Sequence, residues 1–176
     1  VTAFRAGNFG ANRDTLGALT ANGIRADSSY DLACKAGPFL DETLAQPTRI
    51  DGVVEYPMAV YRDALGRLRH AQVGASSLRE LTTTIAQAPQ RRWSDFVLYW
   101  HSGELLNRRK TRPDPIAVRR FEGLCRFLAL RRQDITTTCF QPHTVAVPRR
   151  TAGLQAGRVE TLSRLASQSM RRLWGS

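Results

Sequence analysis

The pattern of apolar and polar positions changes period several times along the chain, and each change marks an element. Asn12 can cap a helix, Leu16 and Leu19 recur behind it at helical spacing, and Gly23 follows, which predicts a first helix. "GIRADSSY" then reads as a turn into a short strand. From Cys34 to Gly52 there is no clear period and there are two prolines, so this stretch is expected to be an excursion or lid. "VVEYPMAVYRD" is strand-like but interrupted by Pro57, which cannot donate to a ladder and places the segment at an edge or bulge. "LGRLRHAQV" reads as its hairpin return.

Ser77-Leu78-Arg79-Glu80 has the form of a capping box opening a helix to about Ala88, closed by Pro89. Phe96 to Trp100 is a nearly continuous apolar run, as expected of a strand buried on both faces of a parallel sheet. His101 stands where that strand should end, the edge at which α/β sheets and barrels handle ligands. Asp114 and Pro115 are a good helix start, and Ala117, Phe121, Leu124, Cys125 and Leu128 recur at three and four residues behind them. "DITTTCF" is a β-branched strand candidate. From Gln155 to Trp174 the pattern is amphipathic and arginine-rich, either a docked helix or a loosely held tail. Alternating strands and helices argue for a β/α fold.

Composition narrows this picture. A chain of 176 residues fits one domain with a real core, and no apolar run approaches the ~20 residues a membrane helix needs. A net charge of +11 raises nucleic acid or an anionic surface as partner. Of the 26 basic residues, however, only Lys35 and Lys110 are lysines, and the arginines are spread in pairs such as Arg119-Arg120 and Arg171-Arg172. Such pairs read as solvated helix faces, so nucleic acid is not the expected partner, and a phosphate-rich ligand or acidic polymer is the alternative. Cys34, Cys125 and Cys139 are odd in number and share no ligand spacing; Cys125 and Cys139 fall where inert buried thiols are common. No disulfide framework is expected, which favours a reducing compartment such as the cytoplasm. The start "VTAFRAGNFG" shows no basic segment followed by an apolar one, and a targeting segment further upstream would not be visible.

Two motifs carry a family resemblance. Arg5-Ala6-Gly7-Asn8-Phe9-Gly10 with the helix "RDTLGALTANGI" and Asp27-Ser28-Ser29-Tyr30, and later Leu98-Tyr99-Trp100-His101-Ser102-Gly103-Glu104, resemble the C-terminal half of a polysaccharide deacetylase of the NodB-homology group. The resemblance runs in order from residue 4 to about residue 140. It implies a partial (β/α) barrel of the distorted polysaccharide-deacetylase type lacking its N-terminal strands, with residues 141–176 as an extension. It also implies hydrolysis of N-acetyl or O-acetyl groups on a sugar or polysaccharide, with a divalent metal, commonly zinc.

On that resemblance Arg5 takes the place of the arginine that braces a catalytic aspartate, a role suited to its planar, ionised fork. His101 takes the place of the general acid, Asp27 that of a residue orienting it, and the N–H of Asn8 that of an oxyanion donor, with Phe9 in the same substrate-binding loop. Leu98 or Tyr99 lies where a leucine helps form the acetyl-methyl pocket, and Gly7 stands where many members have proline, permitting a looser loop. The family's base and metal ligands lie upstream of the arginine loop, so none is expected in this chain, whose histidines, His70, His101 and His143, form no HxxxH or HExxH pattern. The chain is then expected to be the latter part of a longer enzyme and inactive alone. Against these roles, Arg5 could pair with a surface carboxylate, His101 could be a satisfied strand-end histidine, and Asp27 could cap the turn at Ser28 and Ser29. A non-catalytic module holding carbohydrate or a polyanion is the alternative function.

Overall fold

A computed structural model describes residues 1–34, 44–140 and 153–174. Its first sheet orders β1 (Ala3–Phe4), β2 (Ala26–Asp27), β4 (Val53–Glu55) and β3 (Thr48–Ile50). The first three strands run parallel, and β3, which lies within the stretch expected to be an excursion, runs antiparallel to β4. Around Pro57 the chain leaves this sheet for a second one, in which β5 (Val60–Arg62) lies between its hairpin partner β6 (Leu68–His70) and the parallel β7 (Leu154–Gln155). These are two small mixed sheets, and no closed barrel forms among the described residues.

Helix boundaries follow local chemistry. The first helix, α1 (Arg13–Ala21), opens on a reciprocal box in which Asn12 Oδ1 accepts from Thr15 N at 2.9 Å and Thr15 Oγ1 accepts from Asn12 N at 3.2 Å. α2 (Leu78–Gln90) opens on the Ser77–Glu80 box and passes through Pro89 for one residue before ending. Asp114 caps α3 (Pro115–Leu130) by accepting from Ile116 N and Ala117 N. The buried stripe of α3 is Ala117, Arg120 and Leu124; Cys125, one position off it, is exposed rather than a buried thiol.

Residues 96–100 do not form the regular, doubly buried strand expected of them. They run extended between the sheets, with Ala59 N donating to Val97 O, Tyr99 N to Ala71 O, and Val73 N to Tyr99 O. Their side chains alternate as extended backbone requires. Phe96 and Leu98 enter the core of Tyr61, Val73, Leu81, Ile85 and Leu124. Val97 and Tyr99 face the core of Ala26, Val54, Tyr56 and Met58. "DITTTCF" forms no strand, and its Thr136–Cys139 portion is exposed, so Cys139 too is a surface thiol.

α4 (Arg158–Trp174) resolves the choice between docked helix and loose tail. Its Arg164 is buried, donating through Nη2 to Asp63 Oδ2 and through Nε to Glu80 Oε1, both at 2.8 Å. Arg171 reaches Asp114 Oδ2 at 2.5 Å, and Arg120 donates to the carbonyls of Val73 and Gly74. Solvated helix faces therefore describe only part of the arginine content, because three of these guanidinia tie helices to the second sheet and its loops. Among the described residues no helix is long and apolar enough to cross a membrane.

Candidate functional site

Because β1, β2 and β4 are parallel, the segments that follow them emerge at one edge, where ligand sites of α/β sheets form. Arg5 follows β1, Ser28 to Asp31 follow β2, and Tyr56 follows β4. Arg5 donates through Nε to Ser28 O (2.9 Å) and through Nη2 to Ser28 Oγ (2.7 Å), and Ser28 Oγ donates to Tyr56 O. The loop is pinned again where Ala6 N donates to Ser29 Oγ, which donates to Asp27 Oδ1. Arg5 thus braces the β2 turn through a serine.

The guanidinium also lies over two rings, 5.2 Å from the centroid of Tyr99 and 6.0 Å from that of Phe140. Burial lowers its pKa, opposed by the field of Tyr99, Glu55, Asp27 and Asp31. On the other side Tyr99 meets His101: its hydroxyl hydrogen-bonds Nε2, and the rings stand edge-on with centroids 5.0 Å apart. Residues two apart on extended backbone share a face, which is how Tyr99 and His101 meet. Phe9 packs on the same phenol at 5.7 Å. The loop carrying it bends at Asn8 (φ 52°) and Phe9 (φ 57°), both left-handed, so the unusual conformation falls on these two residues and not on Gly7.

Beneath Arg5 lies a buried carboxyl pair. Asp27 and Glu55 are register partners on β2 and β4, and both are almost wholly inaccessible. Asp27 Oδ1 is taken by Ser29 and Glu55 Oε1 by Tyr30 N, while Asp27 Oδ2 and Glu55 Oε2 have no outside donor. Burial, then the hydrogen bond and charge of Asp27, push the Glu55 carboxyl up to about 9, so Glu55 keeps its proton at neutral pH.

A second constellation adjoins the first. Asp31 Oδ2 lies 2.7 Å from His70 Nδ1, His70 Nε2 lies 2.9 Å from Gln72 Oε1, and Gln72 Nε2 donates to Glu104 Oε1 at 2.5 Å. Cys34 Sγ stands 4.0 Å from His70 Nδ1. Donating a hydrogen bond to Asp31 raises the pKa of His70 against the effect of burial. Burial acts to raise the Asp31 carboxyl but is outweighed by His70 and by the N–H groups of Ala33 and Cys34, which hold it low. Burial, then the Asp31 charge, pushes the Cys34 thiol up. Cys34 lies within electrostatic reach of Tyr99, and Asp31 of Arg5, so the two groups adjoin. Past Glu104 opens a cavity of about 560 Å³ lined partly by Arg108, Lys110, Arg171 and Arg172.

Of the residues singled out from sequence, Arg5, Phe9, Tyr99 and His101 come together. Asp27 sits behind Arg5, bonded to Ser29 and paired with Glu55, while His101 is met by Tyr99. Leu98 points away from Tyr99 into the core. Asn8 is exposed, and its N–H has no hydrogen bond among the described residues. His143 lies outside them. Glu55, Asp31, Cys34 and Gln72 were not legible as site residues, because only register and tertiary packing bring them to this edge. Comparisons with protein-family models, with curated proteins and with solved structures returned no match.

Proposed function

We propose that the chain belongs to a hydrolase that removes N-acetyl or O-acetyl groups from a carbohydrate, with Arg5, Tyr99 and His101 at its site. The observation that carries this reading is that Arg5 and His101, far apart in sequence, flank the same phenol at the carboxyl edge of a parallel sheet. The resemblance of both motifs to polysaccharide deacetylases supplies the reaction class, and the parallel β1-β2-β4 trio is the element such a distorted barrel would share.

In this reading Tyr99 holds Nε2 of His101, leaving Nδ1 to carry the proton that passes to the leaving amine as the C–N bond breaks, or to the leaving alcohol as the C–O bond of an O-acetyl group breaks. Arg5 and the Asn8 N–H place positive potential where a carbonyl oxygen gains charge. A divalent cation, when bound, supplies Lewis acidity and an activated water. The test is acetate release from N-acetylated glucosamine oligomers and O-acetylated xylan by the product of the gene's full reading frame, supplied with zinc. Acetate from either substrate supports the reading, and none from both contradicts it.

A polyanion-binding module is the second reading, favoured by the four basic side chains on the cavity beside Glu104. It predicts retention on heparin that falls steeply with salt, and no acetate release.

A further inference from the structure

We propose that Asp31, Cys34 and His70 form a zinc site within this chain, whether or not the neighbouring Arg5–Tyr99–His101 group is hydrolytic. Three unlike ligand atoms converge: Asp31 Oδ2, Cys34 Sγ and a His70 ring nitrogen all lie within 4.8 Å of one another. Both Asp31 (2.7 Å) and Cys34 (4.0 Å) approach the same ring nitrogen, Nδ1. A cysteine–histidine–acid relay needs thiol and acid on opposite ring nitrogens, so this geometry describes a common centre and excludes a relay.

The groups around the three ligands are arranged as a metal's outer shell would be. Asp31 Oδ1 is occupied by Ala33 N (2.8 Å) and Cys34 N (3.4 Å), which leaves Oδ2 for the centre. The far nitrogen of His70 faces the carbonyl oxygen of Gln72, the outer-shell partner that metal-bound imidazoles characteristically have. Gln72 cannot turn the other way, because its amide nitrogen faces the Glu104 carboxylate.

The dimensions fit small side-chain rotations. Tetrahedral zinc with bonds of about 2.1 Å to oxygen and nitrogen and about 2.3 Å to sulfur needs N···O near ~3.4 Å and N···S near ~3.6 Å. The Asp31–His70 separation of 2.7 Å would open by about 0.7 Å, and the Cys34–His70 separation of 4.0 Å would close by about 0.4 Å. Binding releases the thiol proton and the Nδ1 proton to solvent. A mixed nitrogen, sulfur and oxygen set selects zinc over magnesium or calcium, and three protein ligands leave a fourth position open.

The test is titration of the full chain with cobalt(II), the spectroscopic stand-in for zinc. One equivalent should bind with a near-ultraviolet thiolate-to-cobalt band that zinc abolishes. The band should be lost in Cys34→Ser and kept in a Cys125→Ser, Cys139→Ser double variant, and Gln72→Leu should weaken zinc about 10- to 100-fold. Absence of saturable binding, or a band that survives Cys34→Ser, overturns the site. Should Cys34→Ser fail to fold, alkylation of the unaltered protein decides: zinc should shield Cys34 from iodoacetamide while the exposed Cys125 and Cys139 react, and an unshielded Cys34 overturns the proposal. Zinc binding without acetate release, or the reverse, separates this inference from the hydrolase reading.

Discussion

The guanidinium carbon of Arg5 lies 5.2 Å from the ring centroid of Tyr99, so one aromatic side chain joins the loop after β1 to the extended segment that ends at His101. Arg5 is fixed from below by Ser28, and Tyr99 is flanked by Phe9, so neither partner in this contact is free to swing. What the site can do therefore depends on the phenol as much as on the guanidinium or the imidazole.

Tyr99→Phe separates the two functions of that phenol. The ring under Arg5 is retained and the hydroxyl on His101 is lost, so stability should fall by no more than about 1 kcal/mol in urea denaturation, the worth of one hydrogen bond. The His101 ring resonances in NMR should nevertheless move and broaden as the imidazole loses its anchor. Unchanged His101 resonances would show that the hydroxyl does not hold the ring.

Arg164→Ala should destabilise the protein by about 3–5 kcal/mol, because it leaves Asp63 and Glu80 buried without their cation. Arg158→Ala on the exposed side of the same helix should stay within about 0.5 kcal/mol. Urea midpoints of the two variants compare them directly, and similar losses would mean that α4 is held by something other than this pair of bonds.

Much of the framework was readable because its signals are local. The boxes at Asn12 and Ser77 and the cap at Asp114 place helix starts within a few residues of chain, and no tertiary context overrides them. The stretch 96–100 misled because both its faces are apolar for different reasons, one meeting each core, so the alternation of an extended segment was hidden in a continuous run. The threonines of "DITTTCF" favour a strand, but propensity makes no strand without an edge to pair with. Arg164 shares an inward stripe with Thr161, a polar line on an amphipathic helix that could have flagged a buried ion pair. Arg5 and His101 were singled out from the motifs around them, and the structure brings both against Tyr99. The Asp27–Glu55 pair depends on parallel register, and the Asp31–His70 contact joins residues 39 apart, so neither leaves a mark in the spacing of residues.

The raised carboxyl of Glu55 gives the protein a pH signature. Glu55 keeps its proton in the folded state up to about 9 and gives it up near 4.5 when unfolded. The folded state then holds more protons across that window, so stability should be greatest at its acid end and fall as pH rises toward 9. Glu55→Gln can still donate to Asp27 and accept from Tyr30 N without a titrating proton, and should flatten the decline. Urea midpoints at pH 5, 7 and 9 measure it, and an equal decline in the variant would locate the effect elsewhere.

The claim on which the rest turns is that His101, held by Tyr99 beside Arg5, delivers the proton to the leaving group. It is tested most directly by the rate of acetate release from an N-acetylated glucosamine oligomer, measured for the full reading frame and for its His101→Ala variant at equal metal loading. The expected result is a kcat lowered by about 10²- to 10⁴-fold, with the fold intact by circular dichroism. Equal rates in the two proteins would contradict it.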